Sequence, residues 1–209
     1  MIGGKIVVES ENQVQTGVIS FFEGDLIEVK VDQPKHFNLG DAIRASIYSN
    51  TGINNFQSTV IAKVSDGLIL VNPPEHQKKQ LYKRQFTRVD CEVHAYIRSI
   101  IMASINRKIM LSNPTPILIK NASLGGFGFQ IPKGLDLQEN SAVELELNMP
   151  FIAVLTVDIM HKAVNEEGAF YGGQFRDFPA DKVSALKGFI LKKQVEARLI
   201  KRAHDDAEH

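Results

Sequence analysis

The sequence lacks the residues that define several common protein classes. Its 209 residues include one cysteine, Cys91, which excludes an internal disulfide and any zinc site built from several cysteines. Basic and acidic residues number 24 each, so the chain has none of the positive excess typical of proteins that coat nucleic acids or anionic lipids. The N-terminus has no signal-like apolar stretch, and the longest apolar run, Phe151 to Val157, is far shorter than the roughly 20 residues that span a bilayer. These absences predict a soluble, cytoplasmic protein without a transmembrane segment, whose anionic ligands are small and bound by a local cluster of cations.

Motifs for catalysis and for metal binding are absent as well. The six histidines are scattered, and none has the spacing of a metal-ligand pair near an acid. There is no Gly-x-Ser-x-Gly elbow, Walker-type loop or Rossmann glycine fingerprint. Cys91 stands in an apolar alternation, which favours a buried structural thiol over a reactive one. We therefore expect no catalytic residue, no metal ion and no enzymatic activity.

Alternation of apolar and polar residues dominates the first seventy residues and predicts short β-strands. Turn residues separate these strands at Glu23–Asp25, at Asn38–Asp41 and at Ser65–Gly67, where Asp-Gly is a strong hairpin signal. Five or six strands without a helix predict a small barrel or sandwich. The pattern stops at Pro73-Pro74, because two prolines cannot continue a β-ladder. We place the first domain at residues 1–76.

Strand patterns resume at Cys91 and continue to Phe175, which predicts a second barrel of about six strands. A helical repeat of apolar residues then begins after Pro179-Ala-Asp181 and is expected to run to about Arg202, before a solvated tail from His204. The predicted fold is mainly β, with two small β-barrel domains joined by a linker and a C-terminal amphipathic α-helix. Residues 77–90 are the predicted basic linker, and residues 91–209 are the second barrel with its helix.

The basic side chains of this helix have two interpretations. We expect them to solvate the outer face of a helix packed on the second barrel, whereas a helix lying on a membrane surface is the alternative. Six lysine and arginine residues are concerned: Lys187, Lys192, Lys193, Arg198, Lys201 and Arg202.

The predicted linker carries a run of five basic residues without an acid, from Lys78 to Arg88. A solvated linker is the ordinary interpretation of such a run. Arg84 and Arg88, however, stand four residues apart where the chain enters a strand. A guanidinium group binds phosphate through two hydrogen bonds and also stacks on a flat base, so this arginine pair suits a nucleotide.

A second motif, Asn121-Ala-Ser123-Leu-Gly-Gly126-Phe-Gly, lies between two predicted strands. It is typical of a turn, because asparagine and serine bond their own backbone and glycine accepts a positive φ. The same residues also suit a ligand: the Asn121 amide and the Ser123 hydroxyl can hydrogen-bond a nucleobase edge, and a glycine lets the ligand approach the backbone. Either interpretation is open for this motif alone.

Together the two motifs resemble the signature of the PilZ family, an Arg-x-x-x-Arg followed about thirty residues later by Asn-x-Ser-x-x-Gly. The resemblance covers roughly Leu81 to Arg202, and Tyr171-Gly-Gly-Gln-Phe175 resembles the close of the family's barrel. The residues before it look like the N-terminal β domain of flagellar-brake-type members. The matching positions are Arg84, Arg88, Asn121, Ser123 and Gly126, with Lys83 where the family often has a further arginine.

The resemblance implies binding of cyclic di-GMP, a bacterial second messenger. Arg84 and Arg88 would bind its phosphates and stack on its guanines, Lys83 would add a point charge, and Asn121 and Ser123 would read a guanine edge beside Gly126. A ligand that touches both linker and barrel would change the arrangement of the domains. The resemblance also implies a protein partner in the flagellar motor, or in export or polysaccharide machinery, and hence roles in motility or biofilm formation. The sequence does not decide whether the protein forms a homodimer.

Two other functions are compatible with the sequence. The first is a PilZ-like protein–protein adaptor that acts without a nucleotide. The second is a small barrel that binds single-stranded nucleic acid, against which the zero net charge and the absence of tryptophan both count. We therefore expect no nucleic-acid polymer as a partner.

Overall fold

The structure is a computed structural model of the chain, and it describes residues 1–49, 52–73, 86–102, 107–131, 135–165 and 168–207. The mainly β prediction is confirmed: these residues form two closed six-stranded barrels and a C-terminal α-helix. Neighbouring strands of both barrels pair antiparallel. Closure gives each barrel an interior in which one face of every strand is buried.

The first barrel has the strand order β1-β2-β3-β6-β5-β4, and β1 closes it by pairing with β4. A short 3-10 turn at Pro34–His36 follows the third strand. The strands are β1 Lys5–Glu9, β2 Val14–Glu23, β3 Leu26–Val31, β4 Ala42–Ser49, β5 Gly52–Val64 and β6 Gly67–Val71.

The predicted turns of the first barrel lie where the sequence placed them. Residues 65 and 66 separate β5 from β6, and the Asn38–Asp41 turn leads into β4. In that turn the Asn38 backbone N–H donates to Asp41 Oδ2 over 2.8 Å, and Gly40 has a φ of +88°. A residue with a side chain is strained at such a φ, so the glycine is what allows the tight turn.

The second barrel has the strand order β10-β11-β12-β9-β8-β7. Its core holds the inward residues of all six strands together with Leu186 and Ile190 of the helix. The strands are β7 Val89–Met102, β8 Arg107–Ser123, β9 Gly126–Ile131, β10 Ala142–Asn148, β11 Ile152–Asn165 and β12 Gly168–Asp177.

Strand β8 begins at Arg107 and continues to Ser123, although it contains Pro114 and Pro116. Its first half pairs with β7 from Arg107 onward, whereas the pairing with β9 starts only at Leu118. Proline is tolerated in a strand where its missing N–H is not needed by a neighbour, as on this half of β8. The two prolines therefore do not interrupt the strand.

The helix, α1, spans Val183–Ala207. The predicted end near Arg202 is wrong, because the helix continues to Ala207. His204 and Asp205 of the predicted tail are exposed, as expected, but they are helical, and His204 Nδ1 lies 3.0 Å from the Ile200 carbonyl oxygen. No glycine or proline interrupts this stretch, and alanine favours the helix. No described helix is long and apolar enough to cross a membrane.

The chain divides into two compact units, Met1–Lys83 with Gln194–His209, and Arg84–Lys193. The sequence-based division left all of α1 with the second barrel, whereas the observed division falls within the helix. The physical reason is that Arg198 and Arg202 form ion pairs with Glu28 of the first barrel. Of the predicted linker, residues 77–85 lie outside the described residues, and β7 begins at Val89.

Candidate ligand-binding site

The pairing of β7 with β8 brings Arg88 of the first sequence motif and the whole second motif to one end of the second barrel. Val89 pairs with Ala122, and Asp90 pairs with Asn121. Arg88 directly precedes Val89, the first residue of β7. It therefore lies beside the end of β8, where Ser123 and the following turn are found. Arg88 is exposed and therefore accessible to a ligand. Lys83 and Arg84, the other predicted cations, lie outside the described residues.

An aromatic contact joins the segment before β7 to the turn between β8 and β9. A Cβ atom on Gly125 would lie 2.7 Å from Cδ2 and 3.1 Å from Cε2 of Phe86. The Phe86 ring therefore rests directly on the backbone of Gly125, and a side chain there would displace it. Phe86 is still 38% exposed, so part of its side chain remains accessible. Sequence reasoning missed this contact, although an aromatic between two arginines and a double glycine were both visible.

Ser123 holds the turn together through its hydroxyl group. Its Oγ donates to the Gly126 carbonyl oxygen over 3.1 Å and accepts from the Gly125 backbone N–H over 3.3 Å. The side chain is buried. The turn interpretation of this motif is thus seen directly, and the hydroxyl that was predicted to read a base is engaged within the turn.

The Asn121 amide lies over Gly128 on the outer face of the barrel. Its neighbour Ala122 is in the core, so alternation along β8 turns Asn121 outward. A Cβ on Gly128 would lie 2.5 Å from Asn121 Nδ2, 2.7 Å from Oδ1 and 2.6 Å from Phe170 Cζ. Gly128 therefore leaves the space in which the amide and the Phe170 ring rest. The half-buried amide carries both a donor and an acceptor, as a nucleobase edge requires.

Gly126 has a packing role that the sequence did not reveal. A Cβ on this residue would overlap the carbonyl oxygen of Gly173 and lie 3.0 Å from its carbonyl carbon. Gly126 pairs with Gln174 of β12, and the Phe175 N–H donates to the Gly125 carbonyl oxygen over 3.0 Å. The missing side chain is thus required for the close approach of β9 and β12, whereas the sequence suggested close approach of a ligand.

Neighbouring groups define the electrostatics of this end of the barrel. Lys120 Nζ lies 2.7 Å from Glu92 Oε1, and the hydrogen bond and charge of Lys120 lower the pKa of Glu92. Cys91 of β7 is buried, and this burial raises the pKa of its thiol to about 11. The thiol is therefore protonated at neutral pH and structural, as predicted.

The described residues contain no group of three or more acidic, histidine or cysteine side chains that could hold a metal ion.

Comparisons with known proteins give matches among solved structures only. No protein-family model and no curated protein sequence matches the chain. The similar structures include the Bacillus subtilis inhibitor of motility, MotI/DgrA, at 16% identity, with 95% of this chain and 99% of that chain covered and a TM-score of 0.44. YcgR from Escherichia coli in complex with c-di-GMP has 12% identity, coverages of 96% and 88%, and a TM-score of 0.43. The PilZ domain of YcgR with c-di-GMP has 16% identity, coverages of 58% and 98%, and a TM-score of 0.41.

Proposed function

We propose that the chain is a cytoplasmic bacterial receptor for cyclic di-GMP, which binds where the segment before β7 meets the β8–β9 turn. The observation that carries the proposal is the register of β7 on β8. Because Val89 pairs with Ala122, Arg88 of the first motif and Asn121 of the second lie at the same end of the barrel. Residues that are about thirty positions apart in the sequence are neighbours in the fold.

The chemistry of the ligand suits this arrangement. Cyclic di-GMP carries two phosphate charges and two guanines, so it needs cations that also stack on flat rings. Arg88 offers a planar guanidinium on the surface, and in this proposal Lys83 and Arg84 add two further positive charges. In the proposed site the Asn121 amide, which faces outward, bonds a guanine edge, and Ser123 and Gly126 shape the neighbouring turn.

Loss of Arg88 should weaken binding by a predictable amount. A hydrogen bond to a charged group contributes about 1.5–3 kcal/mol, and a cation–π contact contributes about 0.5–2 kcal/mol. Since about 1.4 kcal/mol corresponds to a factor of ten in affinity, Arg88→Ala should raise the dissociation constant roughly 10- to 100-fold.

Calorimetric titration of cyclic di-GMP into three proteins tests the proposal: the wild type, Arg88→Ala and Arg107→Ala. Arg107 is an exposed arginine at the opposite end of β8, roughly 45 Å along the strand from Asn121, so its removal changes the net charge equally without touching the site. We expect the wild type and Arg107→Ala to bind alike and Arg88→Ala to bind far more weakly. Absence of binding to the wild type, or equal loss in both variants, contradicts the proposal.

The proposed consequence of binding is a change in the arrangement of the two domains. A ligand held by both the linker and the barrel shifts the protein toward the domain arrangement that it binds more tightly. A protein partner in the flagellar motor, or in export or polysaccharide machinery, would then respond to the ligand-bound form. Binding of a partner with and without cyclic di-GMP measures this response.

A second candidate function is a protein–protein adaptor that works without a nucleotide. It is favoured by the structural roles of two motif residues, because Ser123 closes the turn and Gly126 lets β9 pack on β12 without any ligand. The titration described above separates the two functions, since an adaptor gives no heat with cyclic di-GMP.

A further inference from the structure

A carboxylate on the outer face of the first barrel is buried. Along β3 the core residues Ile27 and Val29 point inward, so Glu28 between them points outward. It is nevertheless only 1% exposed, and Ile69, its partner on β6 that is also absent from the barrel core, is fully buried. An outward carboxylate can be buried only if another part of the chain covers it.

The second half of α1 supplies the cover through two arginines four residues apart. Arg198 Nε lies 2.7 Å from Glu28 Oε2, and Arg202 Nη1 lies 2.6 Å from Glu28 Oε1. Arg202 Nη2 also pairs with Asp66. The Arg198 guanidinium carbon lies 4.4 Å above the Phe21 ring, close enough for a cation–π contact. The side chains of Arg198 and Arg202 are only 11% and 13% exposed. The prediction that they lie on the solvated outer face of the helix is therefore wrong for these two residues.

A third contact continues the same face of the helix. Gln194 precedes Arg198 by four residues, and its Oε1 accepts from the Asp25 backbone N–H over 3.0 Å. Its Nε2 donates to Asp25 Oδ2 over 2.6 Å. Residues at four-residue intervals lie on one helix face, so a single pattern, Gln-x-x-x-Arg-x-x-x-Arg, makes all these contacts.

Residues of the first barrel hold the Glu28 carboxylate in position for these contacts with the helix. Ser20 Oγ donates to Glu28 Oε1 over 2.8 Å and fixes the carboxylate on its own strand pair. Burial by itself raises the pKa of Glu28, but hydrogen bonds from Arg198 and Ser20 and the charges of Arg198 and Arg202 outweigh it and lower the pKa. The carboxylate therefore stays ionised, which is the state that binds arginine.

The two halves of α1 are held by different forces. The first half buries Leu186 and Ile190 in the core of the second barrel, whereas Leu199 and Ile200 of the second half remain exposed. Buried ion pairs lose much of their attraction to the desolvation of both charges, so they confer specificity more than stability. We therefore expect the polar contact of the second half to separate at a lower cost than the apolar packing of the first half.

We propose that the Glu28 surface, formed by Phe21, Asp25, Glu28 and Asp66, is a docking site for a helix that carries Gln, Arg and Arg at four-residue intervals. Residues 194–207 of this chain are its reversible occupant. When they leave, the surface accepts a partner helix with the same pattern. This proposal does not depend on the binding of cyclic di-GMP.

A peptide competition experiment on the full chain tests the proposal. The probe is a fluorescent peptide with the sequence of residues 191–207, and binding is followed by anisotropy with protein up to about 0.5 mM. The double variant Arg198→Ala/Arg202→Ala, in which the occupant is weakened, should bind the peptide. The wild type should bind it at least about tenfold more weakly, because its own helix fills the site for most of the time.

Control variants separate the pattern from general charge effects. Lys201→Ala removes a positive charge from an exposed position of the same helix half and should behave as the wild type. Glu28→Gln added to the double variant should abolish peptide binding, and a peptide with both arginines replaced by lysine should bind more weakly because lysine lacks the planar fork. Peptide binding that survives Glu28→Gln, or no binding to a folded double variant, overturns the proposal.

Amide hydrogen exchange on the wild type gives a second test that needs no variant to fold. Residues 194–207 should exchange faster than residues 183–193, and added salt should widen the difference by weakening the ion pairs. Equal protection of the two helix halves at low and high salt contradicts a reversible occupant.

Discussion

Replacement of Gly126 by alanine should destabilise the second barrel. The new Cβ would overlap the carbonyl oxygen of Gly173 and lie 3.1 Å from the Gln174 Cα, so both clashing groups belong to the backbone of β12. A backbone group cannot move aside by rotamer change, and β9 and β12 must separate instead. Overpacking of this kind costs about 1–3 kcal/mol, and we expect the upper end of that range.

Thermal unfolding followed by circular dichroism or calorimetry measures the effect. For a chain of this size, 1 kcal/mol shifts the unfolding midpoint by about 2–4 °C, so Gly126→Ala should lower the midpoint of the whole chain by roughly 6–12 °C. Gly188→Ala is the matched control, because Gly188 is an exposed helix position with nothing within 4 Å of its Cβ site. Alanine there should stabilise the helix by up to about 1 kcal/mol.

The reasoning is refuted if Gly126→Ala unfolds at the wild-type temperature. That result would mean that β9 and β12 separate without cost and that the glycine is not required by their packing. A large loss of stability carries a practical consequence for binding studies. Weak cyclic di-GMP binding by a Gly126 variant then reports a damaged barrel, so Arg88 is the better position at which to test the ligand.

Three further predictions concern the segment before β7, the lone thiol and the buried carboxylate. Phe86→Ala should weaken cyclic di-GMP binding by roughly 3- to 10-fold in a titration, because the half-exposed ring anchors Arg88 to the turn, while the unfolding midpoint changes little. Cys91 should resist a thiol reagent at pH 8 in the native protein and react after denaturation, because burial raises its pKa to about 11. The lowered pKa of Glu28 gives a stabilisation that is complete above its ordinary value of 4.5 and is lost as the pH falls through the lower native value. Denaturation of Glu28→Gln between pH 6 and 2 should therefore show a weaker acid dependence than the wild type.

The strands and tight turns of the fold were predictable because they depend on local sequence. Alternation marks one face of each strand, and Asp66-Gly67 and Asn38–Asp41 encode turns within a few residues. Contacts between distant residues were not predictable in the same way. Glu28 and Arg198 are 170 positions apart, and an outward glutamate on a strand gives no sign that a helix covers it. Because the contact of Glu28 with Arg198 is not visible in the sequence, the whole helix was assigned to the second barrel.

The candidate site was predicted in part. The resemblance pointed to Arg88 and Asn121, and the register of β7 on β8 brings them to one end of the barrel. The sequence did not show that Phe86 rests on Gly125 or that Asn121 fills the space above Gly128. Both contacts join residues on different elements, so they depend on strand pairing that a local pattern does not reveal.

Hydrogen exchange with and without cyclic di-GMP tests the central claim most directly, namely that the segment before β7 and the β8–β9 turn form one site. At saturating ligand, the amides of residues 86–89 and of residues 121–126 should both become protected, and both should do so over the same range of ligand concentration. Protection of only one segment, protection elsewhere in the chain alone, or no change at all would contradict the account.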